Sequence, residues 1–269
     1  RKFGFRDNQV WIESFPSDGK LIYQTWQSPS GWDITSAELR MIEPTDELLV
    51  RYPEIGMSVM SYSNAGEAQA ELVDVGTGTL DSEYSGKDVR GKFVLATGSG
   101  SQVHRLAVLK YGAVAVVCYR DDFRASEHPD MIGSNGIWPR TEEIPDVKFG
   151  FNISNRQGRA LKDLLARNQR VVLDGRIEGR GLEPWRMDVI VALISGIEDS
   201  GQELVFTAHL DHPKESANDN ASGSAALLDM ARTLKELINL GKLPRPKRTI
   251  RFLWVPELYG TMAYLDAHP

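Results

Sequence analysis

Between residues 203 and 223 the chain reads ELVFTAHLDHPKESANDNASG, and four of its side chains have types that do chemistry together. His209, Asp211 and His212 sit almost side by side, and Asp219 follows within the same short stretch. Imidazole plus carboxylate is the ligand set preferred by zinc and its neighbours in the first transition row. A solvated loop running into a capped helix would explain one Asp or Asn, but not two imidazoles and two carboxylates at this density. The spacing therefore favours a metal site.

Those side chains need elements to hold them. Glu203–Ala208 is apolar and β-branched, which predicts a buried strand with His209, Asp211 and His212 at its C-terminal end. In open α/β sheets that edge is where ligands collect. After the polar loop, Leu227, Met230, Ala231, Leu234, Leu237 and Ile238 share one face of a helix. Asp219 or Asn220 is placed to cap it. A connector rich in proline and basic residues (Pro244–Arg248) leads to a second buried strand, Thr249–Val255, ending at Pro256-Glu257. Glu257 thus stands at a strand's C-terminal edge as His209 does, and two strands separated by one helix bring such residues near each other. Pro213 fixes the loop behind His212, which reads either as an extra ligand or as a loop histidine.

The chain has 269 residues, 41% of them hydrophobic and 25% charged, enough for one large domain or two modest ones. A net charge of −6 and a pI near 5.5 argue against nucleic acid as a main partner. No apolar run approaches the ~20 residues of a membrane span. A single cysteine, Cys118, lies in an apolar run and reads as a buried hydrophobe, so no internal disulfide forms. That leaves the compartment open. The chain opens on Arg1-Lys2 without a signal-peptide core and stops at His268-Pro269 inside the helix-like stretch Thr261–Ala267, which reads as a fragment.

Taken in order, residues 1–42 read as a β-rich entry segment with a hairpin, Gln9–Ser14 against Lys20–Thr25, around Pro16-Ser17-Asp18-Gly19. Trp26 and Trp32 are expected to pack. From residue 43 to 184 short strands alternate with glycine-rich turns. Gly91–Ala96, the helix Ser101–Tyr111 and the buried strand Ala113–Tyr119 form a strand–helix–strand unit. Gly98-Ser99-Gly100 begins like a dinucleotide fingerprint, but Val103 stands where its third glycine belongs. A polar loop, Arg120–Glu143, is long enough to be functional or mobile. His104 and His128 read as surface or ordinary helix histidines. From Pro184 the chain is α/β again, with Met187–Leu193 and Glu203–Ala208 expected as a hairpin through Asp199-Ser200-Gly201.

The middle region resembles the protease-associated (PA) domain, through ELVDVG at 71–76, DVRGKFVL at 88–95, YGAVAVV at 111–117 and Ile144-Pro145 followed by the helix Asn155–Ala166. This resemblance, over about residues 50–180, implies a non-catalytic β-rich module inserted into a peptidase.

The remainder resembles the M28 family of zinc aminopeptidases. The resemblance rests on His209-Leu210-Asp211, on ANDNASG at 217–223, and on FLWVPE at 252–257 with Gly260-Thr261. It covers residues 185–269, and 1–42 more loosely. It implies an α/β fold, a mixed-sheet zinc-aminopeptidase-like domain, C-terminally incomplete, with the PA-like insertion at 43–184. It implies zinc, two ions, with His209 as ligand to one and Asp219 bridging both. Asp211 orients the site, and Glu257 is either general base or zinc ligand. The family has two consecutive glutamates where this chain has Pro256-Glu257-Leu258, and it takes a further Asp and His from later in the chain; His268 lies too close behind Glu257 to stand in for the latter. The expected activity is removal of amino-terminal residues from peptides. Two other readings use the same fold: a silent peptide-binding module, and another zinc chemistry such as carboxypeptidase or glutaminyl cyclase. Oligomeric state and side-chain specificity stay open at this stage.

Overall fold

A computed structural model describes residues 3–198, 201–212 and 216–269. The chain opens with β1 (Val10–Ser17) and two short strands, β2 (Ile22–Tyr23) and β3 (Trp26–Gln27). Next come β4 (Gly31–Glu43), β5 (Glu47–Tyr52), β6 (Gly66–Asp74), β7 (Phe93–Ala96) and α1 (Gly100–His104), which continues as a π-helical turn over Arg105–Lys110. They are followed by β8 (Ala115–Cys118), α2 (Phe123–Glu127), β9 (Phe149–Asn152), α3 (Asn155–Ala166) and β10 (Val172–Glu183). The last elements are β11 (Trp185–Ile194), β12 (Glu203–His209), α4 (Gly223–Asn239), β13 (Thr249–Val255) and α5 (Glu257–Ala267).

Contacts divide the chain into two units, Arg1–Pro29 with Trp185–Pro269, and Ser30–Pro184. The first break falls at 29/30 rather than 42/43. The reason is β4, which the sequence places in the entry segment but which pairs with β10 from Gly31↔Glu183 to Glu43↔Val172 and with β5 on its other side.

In the second unit a seven-stranded sheet runs β5-β4-β10-β6-β7-β8-β9. Its β6–β9 half is parallel, and β7–α1–β8 is the strand–helix–strand unit read from sequence. Its core sits on both faces, around Leu39, Phe93, Phe151 and Leu173 on one and Val94, Val103, Val116 and Ile137 on the other. Ser154 and Gln157 form a capping box that starts α3. Gly98 is there for close approach, since a Cβ would lie 2.4 Å from the Thr77 carbonyl oxygen. The Gly98-Ser99-Gly100 turn is thus explained by packing. The polar loop contains α2, capped by Asp122 through Ala125 N–H at 2.9 Å. His104, expected as a surface or ordinary helix residue, is 1% exposed. Cys118 is buried, as its neighbours imply.

The first unit is a mixed four-stranded sheet, β1-β11-β13-β12. β1, β11 and β13 are antiparallel neighbours, and β12 lies parallel to β13. Two expected hairpins do not form. β1 pairs with β11, 168 to 182 residues away in sequence, from Val10↔Ala192 to Ser17↔Trp185. The Asp18 carboxylate accepts the Lys20 and Leu21 N–H groups at 2.8 and 2.9 Å, turning the chain into the separate β2–β3 ribbon. β11 and β12 are separated by β13; the turn residues Asp199 and Ser200 lie outside the described residues. Helix α4 covers one face, with Leu227 and Ala231 against Ala192, Phe252 and Trp254. Helix α5 brings Tyr264 onto Val189, Val191 and Val255. The β12 sequence predicts burial, yet Leu204, Val205 and Phe206 are 50%, 55% and 38% exposed. Among the described residues β12 has one neighbour, β13, and so lacks there the second flank that a parallel strand of this composition is built for. Among the described residues no helix is long and apolar enough to cross a membrane.

Candidate metal centre

The site lies at the C-terminal ends of β12 and β13. Register pairs His209 with Val255, and Leu210 N–H donates to the Val255 carbonyl at 3.0 Å, so the loop leaves the sheet level with the end of β13. The His209 carbonyl accepts from Asn220 Nδ2 at 3.1 Å and Ser224 Oγ at 2.7 Å. Two side chains from the start of α4 therefore hold the strand end from which the imidazole projects.

The same asparagine begins the helix. Asn220 Oδ1 accepts the Gly223 N–H at 3.2 Å, the bond expected of an N-cap residue. Gly223 leaves room for this amide, because a Cβ would lie 2.3 Å from Asn220 Oδ1. Of the two capping candidates Asn220 does the capping, and Asp219 is left to face the histidines. Its Oδ1 lies 3.1 Å from His209 Nε2, and its Oδ2 lies 3.6 Å from His212 Nε2. The His209 side chain is 18% exposed and that of Asp219 is 64% exposed, so the pair opens to solvent on the carboxylate side.

The other ring nitrogen of His209 is also placed. Nδ1 is 3.1 Å from the Asp211 carbonyl oxygen and 3.6 Å from its Oδ1. A proton on Nδ1 directed at that carbonyl leaves Nε2 with a lone pair towards Asp219, the tautomer a metal ligand needs. Asp211 Oδ1 in turn accepts the Glu257 N–H at 2.8 Å, where α5 begins. Asp211 therefore ties the loop after β12 to the helix after β13. A carboxylate at a helix N-terminus is also favoured by the helix dipole.

These atoms suit a zinc ion. Two donors 2.0–2.2 Å from a tetrahedral ion stand about 3.4 Å apart, close to the His209–Asp219 separation. The ligand set is the nitrogen and oxygen set zinc takes. Among the described residues no three such side chains gather round a single point. The grouping is one carboxylate with an imidazole at each oxygen.

Glu257 is the first residue of α5 and is exposed. Among the described residues its carboxylate takes no hydrogen bond and no ion pair; its backbone N–H donates to Asp211 and its carbonyl accepts from Thr261 Oγ1 at 2.5 Å. His268 is elsewhere. Its ring stacks on Tyr264 with centroids 4.3 Å apart and meets Glu13 Oε2 at 2.7 Å. Burial pushes the Glu13 carboxyl up, but the hydrogen bonds from His268 and Trp11 outweigh it and hold the group below the ordinary carboxylate range. Pro213 lies outside the described residues. The supporting residues Asn220 and Ser224 were not singled out for this work by sequence reasoning; only the capping signal pointed at Asn220. Trp254, which donates from Nε1 to the Ser224 carbonyl at 3.1 Å, carried no signal beyond its apolar strand.

The sequence profile described as Peptidase family M28 matches residues 189–257, a span that contains every residue of this centre. No curated protein sequence matches the chain. Among solved structures, an aminopeptidase from Aneurinibacillus sp. strain AM-1 is similar over 100% of this chain and 58% of its own, at 19% identity and a TM-score of 0.64. A peptidase M28 precursor from Shewanella amazonensis matches over 99% of this chain and 59% of its own, at 18% identity and a TM-score of 0.68. BSAP, a zinc aminopeptidase from Bacillus subtilis, matches over 97% and 55%, at 20% identity and a TM-score of 0.63. The chain thus shares the mixed α/β fold of these proteins and spans somewhat over half their length.

Proposed function

We propose that this chain belongs to a zinc-dependent peptidase of the aminopeptidase type, with its centre on His209, Asp219 and Glu257. The observation that carries the reading is His209 Nε2 at 3.1 Å from Asp219 Oδ1 at the ends of parallel strands, inside the span matched by the M28 profile. The structural likeness to aminopeptidases supports it. The second unit, 30–184, is a PA-like, non-catalytic module.

In this reading His209 and Asp219 hold zinc, which when bound polarises the scissile carbonyl and acidifies water. Asp211 keeps the proton of His209 on Nδ1 and fixes the start of α5. The free carboxylate of Glu257 takes a proton from the attacking water as the C–O bond forms and delivers it to the leaving amine as the C–N bond breaks. An apolar hollow of about 500 Å³ adjoins the ligand loop through Leu210, Ala221 and Ser224, and accepts an apolar portion of the peptide.

Zinc titration calorimetry with a screen of aminoacyl amides tests the reading. The expected result is zinc binding lost in His209→Ala and Asp219→Asn, with Glu257→Gln keeping zinc but losing turnover. Peptide binding with no zinc in the wild-type chain would instead establish a silent binding module. Loss of zinc in Glu257→Gln would make Glu257 a ligand.

A further inference from the structure

The Asp219 carboxylate has two oxygens, and each faces a different imidazole: Oδ1 meets His209 Nε2 at 3.1 Å and Oδ2 meets His212 Nε2 at 3.6 Å. Both separations bracket the roughly 3.4 Å expected between two donors on one tetrahedral zinc. The three groups nevertheless do not gather round a single point. One carboxylate flanked in this way makes two half-sites that share a ligand, which is how a carboxylate holds two ions about 3.5–4 Å apart.

The loop is braced so that both rings are presented to the same carboxylate. Leu210 is bonded to Val255 and Asp211 to Glu257, so the segment between the two histidines is tied to the end of β13 and the start of α5. The plain alternative is a surface ion pair of His212 with Asp219, whose side chains are 24% and 64% exposed. Such a pair contributes about 0–1 kcal/mol and gives no reason to align both carboxylate oxygens with ring nitrogens.

We propose that His212 is a protein ligand to a second zinc ion, bound on Oδ2 of Asp219. The inference rests on the reading that His209 and Asp219 hold the first. It gives His212 a place that the M28-like motif does not assign, and it leaves the Glu257 carboxylate free to carry protons.

The test uses the full 269-residue chain, zinc titration followed by calorimetry, and ¹⁵N spectra of the histidine rings. The wild-type chain is expected to take up two ions, with the Nε2 resonances of both His209 and His212 moving. His212→Ala should retain one ion and lose affinity for the other at least about tenfold. The ring spectra need no variant, so a folding defect in His212→Ala does not blunt the test. Zinc uptake that moves His209 alone, or two ions held with unchanged affinity in His212→Ala, overturns the role of His212 and leaves the first site standing. A wild-type chain that binds no zinc overturns both.

Discussion

His104 offers a quantitative check of the second unit. It is 1% exposed on α1, and its Nε2 accepts the Lys148 N–H at 3.1 Å, so the neutral ring is the bonded form. Burial lowers its pKa from the ordinary 6.5 to about 4, with the Glu143 carboxylate opposing and the Arg105 guanidinium adding to the shift. At pH 7 the folded chain leaves this ring neutral, while the unfolded chain protonates roughly a quarter of it. As pH falls below about 6.5 the unfolded chain takes up the proton while the folded one resists until about pH 4, so stability present at neutral pH is lost on acidification. Integrated over the whole window the loss approaches about 3 kcal/mol, and between pH 7 and pH 5 it is about 2 kcal/mol. The perturbation is His104→Gln, whose amide oxygen can accept the Lys148 N–H without titrating. Hydrogen exchange at the Val94, Val116 and Phe151 amides, corrected for the intrinsic rate at each pH, reads the opening free energy of this unit. The wild-type chain should lose about 2 kcal/mol more than the variant between the two pH values. Equal losses in the two chains would refute the buried neutral histidine.

Three further outcomes follow from the first unit. Gly223→Ala drives a methyl group into the Asn220 amide and should weaken zinc binding by about tenfold or more in calorimetry, because that amide braces the His209 strand end. Asp211→Ala removes the acceptor for the Glu257 N–H and the carboxylate oxygen 3.6 Å from His209 Nδ1, leaving the backbone carbonyl that faces that nitrogen; zinc affinity should fall about tenfold or more while the far-ultraviolet circular dichroism stays unchanged. Phe252→Ala, at a fully buried position stacked on Phe206, should cost about 3–5 kcal/mol in urea unfolding without altering the exchange rates of Val94 or Val116 in the other unit.

What the sequence carries well is chemistry that is local in the chain. His209, Asp211, Asp219 and Glu257 are placed by two strand ends and one helix start, and a β–α–β crossover between parallel neighbours brings such ends together without any distant partner. Asn220 is legible as a cap for the same reason. Pairing is different, because an alternating strand looks alike whichever strand it joins. Nothing in Val10–Ser17 names β11 as its partner, and nothing in β4 shows that it pairs with β10 rather than with the four-stranded sheet; the 42/43 boundary and both missing hairpins follow from that. Burial fails in the same way. The apolar run of β12 is composed for a strand flanked on both sides, yet among the described residues it pairs with β13 alone, while a lone histidine on α1 gives no sign that its ring reaches the Lys148 backbone. The grouping of His209, His212 and Asp219 escapes this ambiguity because it needs only the crossover, and not the order of the remaining strands. A change in what pairs with β1 or covers β12 would alter stability, whereas one extra methyl group at Gly223 reaches the His209 carbonyl through a single amide.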